Sequence, residues 1–415
     1  MSVDTTVSFQ RPCSLAFPFF SYEHTYDIVP KNRHKITTSS SIIMKTTTKL
    51  LLALPHLLLI IITCTATVEE KSSSSSSSPT LQQRFDQWAE SNQKTYSTDS
   101  EKAYRFSIWR ENDSFISNHN NAQEKKSWTL GHNEYSDMTN AEFREYFHLD
   151  EDHSNSLLID DPDTLLLLEN EESYTAPMLR HQRRRVQNVP KHVNWINEDM
   201  VTHVKNQGQC GSCWAFSAVA VMESYRAIHY SNLQKYEKVT LSEQQLVECS
   251  LADGGCNGGW PKNAMKYVYE NGGMCTDAEY PYIAEDDGAC TNSCTKVNGT
   301  DIPKPTYVKP RQNAMALMAA VALNPVSVVM DSGTQDFQFY AQGIYDGDCT
   351  TDYNHAVTIV GYGEVDGKEF WIVKNSWGTK WGDDGYFHIV RDSTEDAVPG
   401  KCAILKFGTT IPPKL

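Results

Sequence analysis

Residues 207–216, QGQCGSCWAF, place Cys213 at the start of a segment that is apolar on nearly every side. This pattern predicts a buried helix, and the free N–H groups and dipole at a helix start stabilise a thiolate, the reactive form of cysteine. Gln207 lies six residues upstream. From there its amide N–H, with the backbone N–H of Cys213, could stabilise an oxyanion. The stretch therefore indicates nucleophilic catalysis by a thiol.

A thiolate nucleophile needs a base that also protonates the leaving amine, and the base needs a partner that orients it. His355 precedes one predicted strand, and Asn375 follows another. Trp377 is placed to shield a His355–Asn375 hydrogen bond from water. The sequence thus predicts that thiol and imidazole face each other across a cleft.

The elements that must position these side chains fall into two halves. Residues 212–229 predict the buried helix, Ser242 with Gln245 predicts a capping box before a short helix, and Pro261 and Gly272 bracket a third helix. Beyond about residue 325 the pattern changes to strands, at 326–330, 356–360, 369–373 and 386–390. A helical half followed by a β half predicts an α+β protein with two lobes and a cleft between them.

In these motifs the chain resembles the papain family of cysteine proteases, and the resemblance extends from Leu81 nearly to the C-terminus. His355 lies 142 positions after Cys213 and Asn375 lies 162 positions after it, against roughly 130–150 in that family. The resemblance implies a papain-like fold with a helical lobe and a β-barrel-like lobe. It implies a cysteine endopeptidase with a thioester intermediate, in which Cys213 is the nucleophile, His355 the base and acid, Asn375 its orienting partner and Gln207 the oxyanion donor.

The same resemblance implies the residues that contact substrate. Gly258 and Gly259 match the wall of the S1 subsite, where glycines let the substrate backbone lie flat, and Trp377 is a further contact. Five residues match the S2 pocket: Trp260, Pro261, Val329, Ala356 and Phe407. None of them is a carboxylate, so we expect an apolar residue at P2, two positions before the scissile bond. The bulk of Tyr353 and Phe407 predicts a shallow pocket.

Upstream motifs resemble the inhibitory propeptide of the cathepsin L-like branch. Its ERFNIN helix is matched, with Trp in place of Phe, by Glu101, Arg105, Trp109, Asn112, Ile116 and Asn120. Its GNFD motif is matched, with Tyr for Phe, by Gly131, Asn133, Tyr135 and Asp137. The resemblance implies that the propeptide runs backwards through the cleft. We expect acid to release it, because Asp137 and carboxylates of the acidic run 150–174 would lose their charge.

Nine of the eleven cysteines lie from Cys210 onward, which suggests disulfides and an oxidising compartment, with an odd thiol left over. The family pattern implies the pairs Cys210–Cys256, Cys249–Cys290 and Cys349–Cys402, with Cys213 free. Cys275 and Cys294 then remain, and we expect them to form an additional bridge.

The N-terminal sequence predicts entry into the secretory pathway. The apolar run 50–62 follows Lys45 and Lys49, is too short to span a bilayer, and is typical of a signal peptide, with Met44 as a natural start. A signal-anchor helix is the alternative. We assign residues 1–66 to an extension and signal peptide, 67–80 to a Ser-rich linker, 81–188 to the propeptide and 189–415 to the peptidase domain. The boundary near Val189 follows the basic triplet 183–185.

The net charge of −15 argues against a nucleic-acid partner. We expect protein and peptide substrates, the chain's own propeptide and cystatin-type inhibitors as partners, no membrane anchor, a monomer, and a lysosomal, vacuolar or extracellular location. Asn112 and Asn298 lie in glycosylation sequons, of which Asn298 is the favoured site.

Three alternative hypotheses for the site are a zinc site, an inactive binding protein, and a ligase or transpeptidase. A zinc site would use Cys210 and Cys213, but no second pair has the usual spacing, so we expect no metal and no cofactor. A catalytically dead binding homologue is disfavoured by the intact Cys213, His355, Asn375 and Gln207. A ligase or transpeptidase that uses the same thioester stays open on sequence alone.

Overall fold

A computed structural model describes residues 78–150, 189–230, 238–291, 293–391 and 398–413. All of them belong to one compact unit that starts at Ser75. The predicted signal peptide, the acidic run after Asp150 and the basic triplet 183–185 lie outside the described residues. Within the described ranges, no helix combines the length and the apolar character needed to cross a membrane.

In its described residues, 81–150, the predicted propeptide segment forms three helices and one strand. These are α1 (Leu81–Ser91), α2 (Asp99–Asn120), β1 (Trp128–Leu130) and α3 (Asn140–Tyr146). Each helix begins at a threonine whose side chain accepts a backbone N–H, and at Thr80 and Thr139 the third helical residue completes a capping box. Such caps satisfy donors that a helix start otherwise leaves open, which fixes where each helix begins.

The polar residues of the ERFNIN pattern hold the turn that follows β1. The Asn112 side chain donates to the carbonyls of Ser136 (3.0 Å) and Met138 (2.9 Å). The Asn120 side chain exchanges two hydrogen bonds with the backbone of Leu130. The two bonds of Asn112 explain why an asparagine occurs at a buried position of α2, where an unsatisfied amide would be costly.

The helical half contains α4 (Cys213–Tyr230), α5 (Glu243–Cys249) and α6 (Pro261–Asn271). Helix α4 is buried along most of its length, as its sequence predicts. Pro261 is the first residue of α6, and Gly272 ends it in the left-handed region at φ +69°, both as predicted.

The predicted capping box at α5 is only half correct. Ser242 does cap the helix by accepting the Gln245 N–H. The Gln245 side-chain oxygen, however, accepts from Cys275 N–H, and the Ser242 N–H donates to the Cys275 carbonyl. The neighbouring Cys275 segment therefore takes over the reciprocal bond, a contact that local sequence could not reveal.

The second half is a mixed, open sheet. Its strands are β2 (Val193–Asn194), β3 (Thr306–Tyr307), β4 (Val326–Met330), β5 (Tyr340–Tyr345), β6 (His355–Val365), β7 (Lys368–Lys374), β8 (Tyr386–Val390) and β9 (Gly408–Thr410). Short helices α7 (Ala314–Val321) and α8 (Gln335–Gln338) flank β4. The order is β1-β5-β8-β7-β6-β4-β9-β3, with β2 beside β6. All four predicted strands are present, and the prediction of a helical half and a β half is confirmed.

The propeptide supplies one edge of this sheet. Its strand β1 runs antiparallel to β5, with Trp128 opposite Gly343. A side chain at Gly343 would lie 2.3 Å from the Ser127 carbonyl, so this position requires glycine. Propeptide side chains also join the sheet's apolar core, which makes the propeptide continuous with this lobe.

Four disulfides cross-link the described part of the chain. The three pairs implied by the family resemblance are present, and so is the additional Cys275–Cys294 bridge. Cys213 is the free cysteine among the described residues. Because Cys210 is bonded to Cys256, it cannot share a zinc ion with Cys213, which removes the alternative metal site.

We expect an N-linked glycan at Asn298 and none at Asn112. The Asn298 side chain is exposed, whereas Asn112 is 3% exposed and its amide nitrogen donates to the carbonyls of Ser136 and Met138, so a glycan there is incompatible with this fold. Peptide mapping after enzymatic deglycosylation in heavy-oxygen water would locate the label. The Asn298→Gln variant is the control, and a glycan on Asn112 of folded protein would contradict the expectation.

Candidate active site

The Cys213 thiol lies where the helical half meets the sheet. It is the first residue of α4 and is 8% exposed. Its sulfur accepts a hydrogen bond from the backbone N–H of Ala356 at 3.4 Å. Since Ala356 is the second residue of β6, this contact places the thiol beside His355, the first residue of that strand.

Burial acts on the Cys213 thiol against the helix-start effect expected from the sequence. Burial raises the pKa of the thiol to about 11, and this effect outweighs the backbone N–H groups of Ala356, Trp214 and Cys213 itself, which lower it. Burial therefore opposes the effect of the helix start and favours the neutral thiol in this form of the chain.

His355 is held from two sides. Its Nε2 is 2.8 Å from Asn375 Oδ1. The Trp377 ring stacks on the imidazole with the ring centroids 4.7 Å apart and the planes 23° from parallel. His355, Asn375 and Trp377 are all buried. The predicted His–Asn pair and its indole shield are therefore in contact.

Gln207 is fully buried, and its side-chain orientation depends on Ser376. The Ser376 hydroxyl donates to Gln207 Oε1 at 2.7 Å, and the Gln207 N–H donates to the Ser376 carbonyl at 2.9 Å. The amide nitrogen donates to the Cys210 carbonyl at 3.0 Å. Sequence reasoning did not identify Ser376, although its position next to Asn375 was a usable signal.

A small cavity adjoins the thiol. Its volume is about 20 Å³, and it is lined by Cys213, Gly258, Gly259, Trp260, Val329, Tyr353, Asn354, His355 and Ala356. That is room for little more than one water molecule. Five of the residues predicted for S1 and S2 therefore line this cavity, namely Gly258, Gly259, Trp260, Val329 and Ala356, whereas Pro261 and Phe407 are not among its lining residues. Pro261 follows Trp260 as the first residue of α6, and Asn354 is a lining residue that the sequence did not single out.

Three aromatic rings close the far side of the cavity. Trp260, Tyr353 and Phe407 pack edge to face, with centroid distances from 5.2 to 5.9 Å. Lys406 lies over Tyr353 and Arg311 over Phe407. The nine lining residues include no carboxylate. The pocket thus offers apolar contacts, with the cationic side chains of Arg311 and Lys406 nearby. None of its lining residues could neutralise the guanidinium of a substrate arginine.

The propeptide covers the opposite side of the site. Phe147 stacks on Trp377 with centroids 4.8 Å apart, and Phe143 meets the same indole edge to face. The Tyr135 hydroxyl donates to the Trp377 carbonyl at 3.1 Å. The aromatic side chains of α3 and its flanking segments therefore rest on the residue that shields the His355–Asn375 pair.

Two family models match the chain. A model described as papain family cysteine protease matches residues 189–409, and one described as cathepsin propeptide inhibitor domain matches residues 85–143. Together they cover both the sheet-and-helix site and the segment that packs on it.

Curated relatives and solved structures agree with these matches. The chain is 37% identical to a senescence-specific cysteine protease of Arabidopsis thaliana, over 75% of this chain and 85% of the relative. It is 40% identical to a cysteine endopeptidase of rice, Oryza sativa subsp. japonica, over 73% and 76%. Recombinant stem bromelain precursor matches with a TM-score of 0.67 and 33% identity, over 81% of this chain and 99% of that one. A ragweed pollen cysteine protease in its proform gives 0.66 and 33%, over 81% and 95%.

Proposed function

Since this chain belongs to the papain family of cysteine proteases and carries a cathepsin-type propeptide inhibitor domain, we propose that Cys213, His355, Asn375 and Gln207 are its catalytic residues. The chain is a cysteine protease, and the full-length form is its zymogen. The observation that carries the assignment is the Ala356 N–H bond to the Cys213 sulfur. It brings the thiol to the strand end that carries His355.

The proposed reaction begins when His355 Nδ1 takes the proton of the Cys213 thiol. The sulfur adds to the carbonyl carbon of the peptide, and the Gln207 amide and the Cys213 backbone N–H stabilise the resulting oxyanion. The C–N bond then breaks, and His355 returns its proton to the leaving amine. Water, activated by the same imidazole, hydrolyses the thioester and regenerates the thiol.

The orienting role proposed for Asn375 follows from the tautomer it selects. When Nε2–H of His355 donates to Asn375 Oδ1, the proton acceptor of the neutral ring is Nδ1. Trp377 stacked on the ring excludes water that would compete for this hydrogen bond. The imidazole therefore keeps one orientation through both proton transfers.

We propose that the apolar cavity is the S2 subsite and that Gly258 and Gly259 form the S1 wall. Trp260, Val329 and Ala356 line the cavity, with Tyr353 and Phe407 at its far side. At about 20 Å³ the cavity must open to admit a side chain. Small aliphatic groups require the least opening.

We propose that acid activates the zymogen. Asp137 is 4% exposed and pairs with Lys94 at 3.0 Å, and Glu142 pairs with Arg105 at 2.9 Å. Protonation of either carboxylate removes an ion pair that holds the propeptide turn. Carboxylates of the 150–174 run remain part of this proposal, although the run beyond Asp150 lies outside the described residues.

Protonation of His132 would also destabilise the closed propeptide at acid pH. Its ring stacks on Trp109 at 4.4 Å and its Nε2 is 3.0 Å from Asp113 Oδ1, with Arg84 also paired to Asp113. Burial lowers the pKa of His132, which outweighs the opposing effect of Asp113. The closed propeptide therefore favours the neutral ring, and its stability falls as the pH drops below about 6.5.

The four disulfides support a route through an oxidising compartment. We propose passage through the secretory pathway, with an extracellular, vacuolar or lysosomal destination. Cystatin-type inhibitors and a monomeric state are part of the same proposal, because both follow from the family resemblance.

The Cys213→Ser variant should fold as a precursor and show no peptide cleavage, because a serine hydroxyl is a much weaker nucleophile than the cysteine sulfur at this site. Hydrolysis of a fluorogenic dipeptide substrate and labelling by a peptidyl epoxide measure this directly. The wild-type chain, activated and assayed in the same way, is the control. Undiminished hydrolysis by Cys213→Ser would refute the assignment.

The mature enzyme should prefer Leu or Val over Arg at P2 by more than about tenfold in kcat/KM. Burial of an aliphatic side chain gains about 1.5–3 kcal/mol, whereas a guanidinium would lose its hydration without a counter-charge among the lining residues. A dipeptide series that varies only P2 measures the preference.

The Phe407→Ala variant should shift this P2 preference toward Phe by enlarging the pocket. Efficient cleavage of substrates that carry Arg at P2 would overturn the pocket assignment. A wild-type preference for Phe over Leu would overturn only the argument from pocket size.

The inactive Cys213→Ser precursor should lose thermal stability between pH 7 and pH 5, and the His132→Phe variant of it should lose less. Phenylalanine keeps a ring against Trp109 but cannot take up a proton. The matched control is His203→Phe, since His203 is exposed. Identical pH dependence in the His132→Phe and parent proteins, measured by thermal melting at both pH values, would exclude His132 as a contributor.

A further inference from the structure

The segment from Asp253 to Trp260 is a short loop attached to the start of α4. The Cys210–Cys256 disulfide, the Gly211 N–H bond to the Cys256 carbonyl (2.8 Å) and the Trp214 indole bond to the Gly255 carbonyl (3.1 Å) fix its middle. Its last three residues, 258–260, line the cavity beside Cys213. Residues 258–260 belong to no helix or strand, so hydrogen bonds and packing from neighbouring residues must hold this part of the cavity wall in place.

The carboxyl group of Asp253 closes the base of this loop. Its Oδ1 accepts the Trp260 backbone N–H at 2.7 Å, and its Oδ2 accepts the Ser250 hydroxyl at 2.6 Å. Trp260 is the residue that precedes helix α6, and its own side chain makes no capping bond. Asp253 thus provides, from seven residues upstream, a hydrogen bond at the point where the cavity wall becomes helix.

Gly259 shows how closely the loop is packed. A side-chain carbon there would lie 2.6 Å from the Trp214 ring and 2.8 Å from Asp253 Cβ. The backbone of Gly259 is therefore confined between the first turn of α4 and Asp253. A shift of Asp253 would free this backbone on one side, while Cys213, on α4, would stay in place.

We propose that Asp253 is a positioning residue for peptide binding, which holds Gly258, Gly259 and Trp260 at the spacing that a bound peptide requires. It acts through the loop and does not touch the reacting atoms. This inference rests on the proposed function, because it takes the loop to be the wall of S1 and S2.

The protonated form of Asp253 suits this role best. Burial raises the pKa of the carboxyl to about 7, and the groups that oppose this shift are Ser250, the Trp260 N–H and Asn263, none of them charged. A neutral carboxyl still accepts from Ser250 and Trp260 and places no charge in the loop. Because the closed loop favours the neutral carboxyl, this contribution to loop stability is present at acid pH and is lost as the pH rises from about 4 to about 7.

The test compares two thiol reagents on activated protein. A peptidyl epoxide must occupy the subsites before it alkylates Cys213, whereas iodoacetamide is too small to need them. The Asp253→Ala variant should react about tenfold more slowly with the epoxide, as expected for loss of a buried hydrogen bond. Its rate with iodoacetamide should stay unchanged. The Asp253→Asn variant, which keeps an acceptor for Trp260 and a donor for Ser250, should restore the epoxide rate.

The pH dependence gives a second readout. The ratio of epoxide rate to iodoacetamide rate should fall from pH 5.5 to pH 8 in the wild type and stay flat in Asp253→Asn, because the asparagine mimics the protonated acid. Equal ratios for wild type and Asp253→Ala, or an equal loss with both reagents, would overturn the positioning role. Failure of the wild type to react with the epoxide while iodoacetamide labels Cys213 would instead refute the proposed function.

Discussion

Buried charges between the two lobes are the constraint on which the site depends. Lys205 Nζ lies 3.0 Å from Glu223 and 2.6 Å from Glu243, and Lys374 donates to Thr202, which also bonds Glu223. Burial alone would lower the pKa of Lys205, but the two carboxylates outweigh it and raise that pKa. Loss of one partner from such a buried pair costs about 3–5 kcal/mol. The segments that carry these residues are therefore fixed relative to one another.

Those segments also carry the proposed catalytic residues. Lys205 is two residues before Gln207, Glu223 lies on the helix that starts at Cys213, and Lys374 directly precedes Asn375. The Ser217 hydroxyl adds a bond from α4 to the Val357 carbonyl of β6 at 2.7 Å. A buried network of charged and hydroxyl groups thus fixes the distances between the proposed catalytic residues. The proposed chemistry depends on groups that never meet substrate.

Sequence alone predicted the proposed catalytic residues and the elements that carry them, because each is marked by a local pattern. Cys213 stands before an apolar helix, and His355 precedes a buried strand. The half-correct capping box at Ser242 and the role of Ser376 depend on partners 30 or more residues away. Such pairings leave no local periodicity. The raised pKa of the Cys213 thiol has no local signal either, because the helix-start effect is local whereas burial depends on the whole assembled cleft.

The propeptide packs on Trp377, the same indole that the proposed mechanism needs to cover the His355–Asn375 pair. Trp377 excludes water from the His355–Asn375 bond on one side and receives Phe147 and Phe143 on the other. A substitution that weakened propeptide binding at Trp377 would therefore also expose the imidazole. A substitution of Trp377 itself would therefore affect both the propeptide contact and the His355 environment. Adjustment of zymogen stability is instead open to positions such as His132, which lie in the propeptide's own core and touch neither the thiol nor the imidazole.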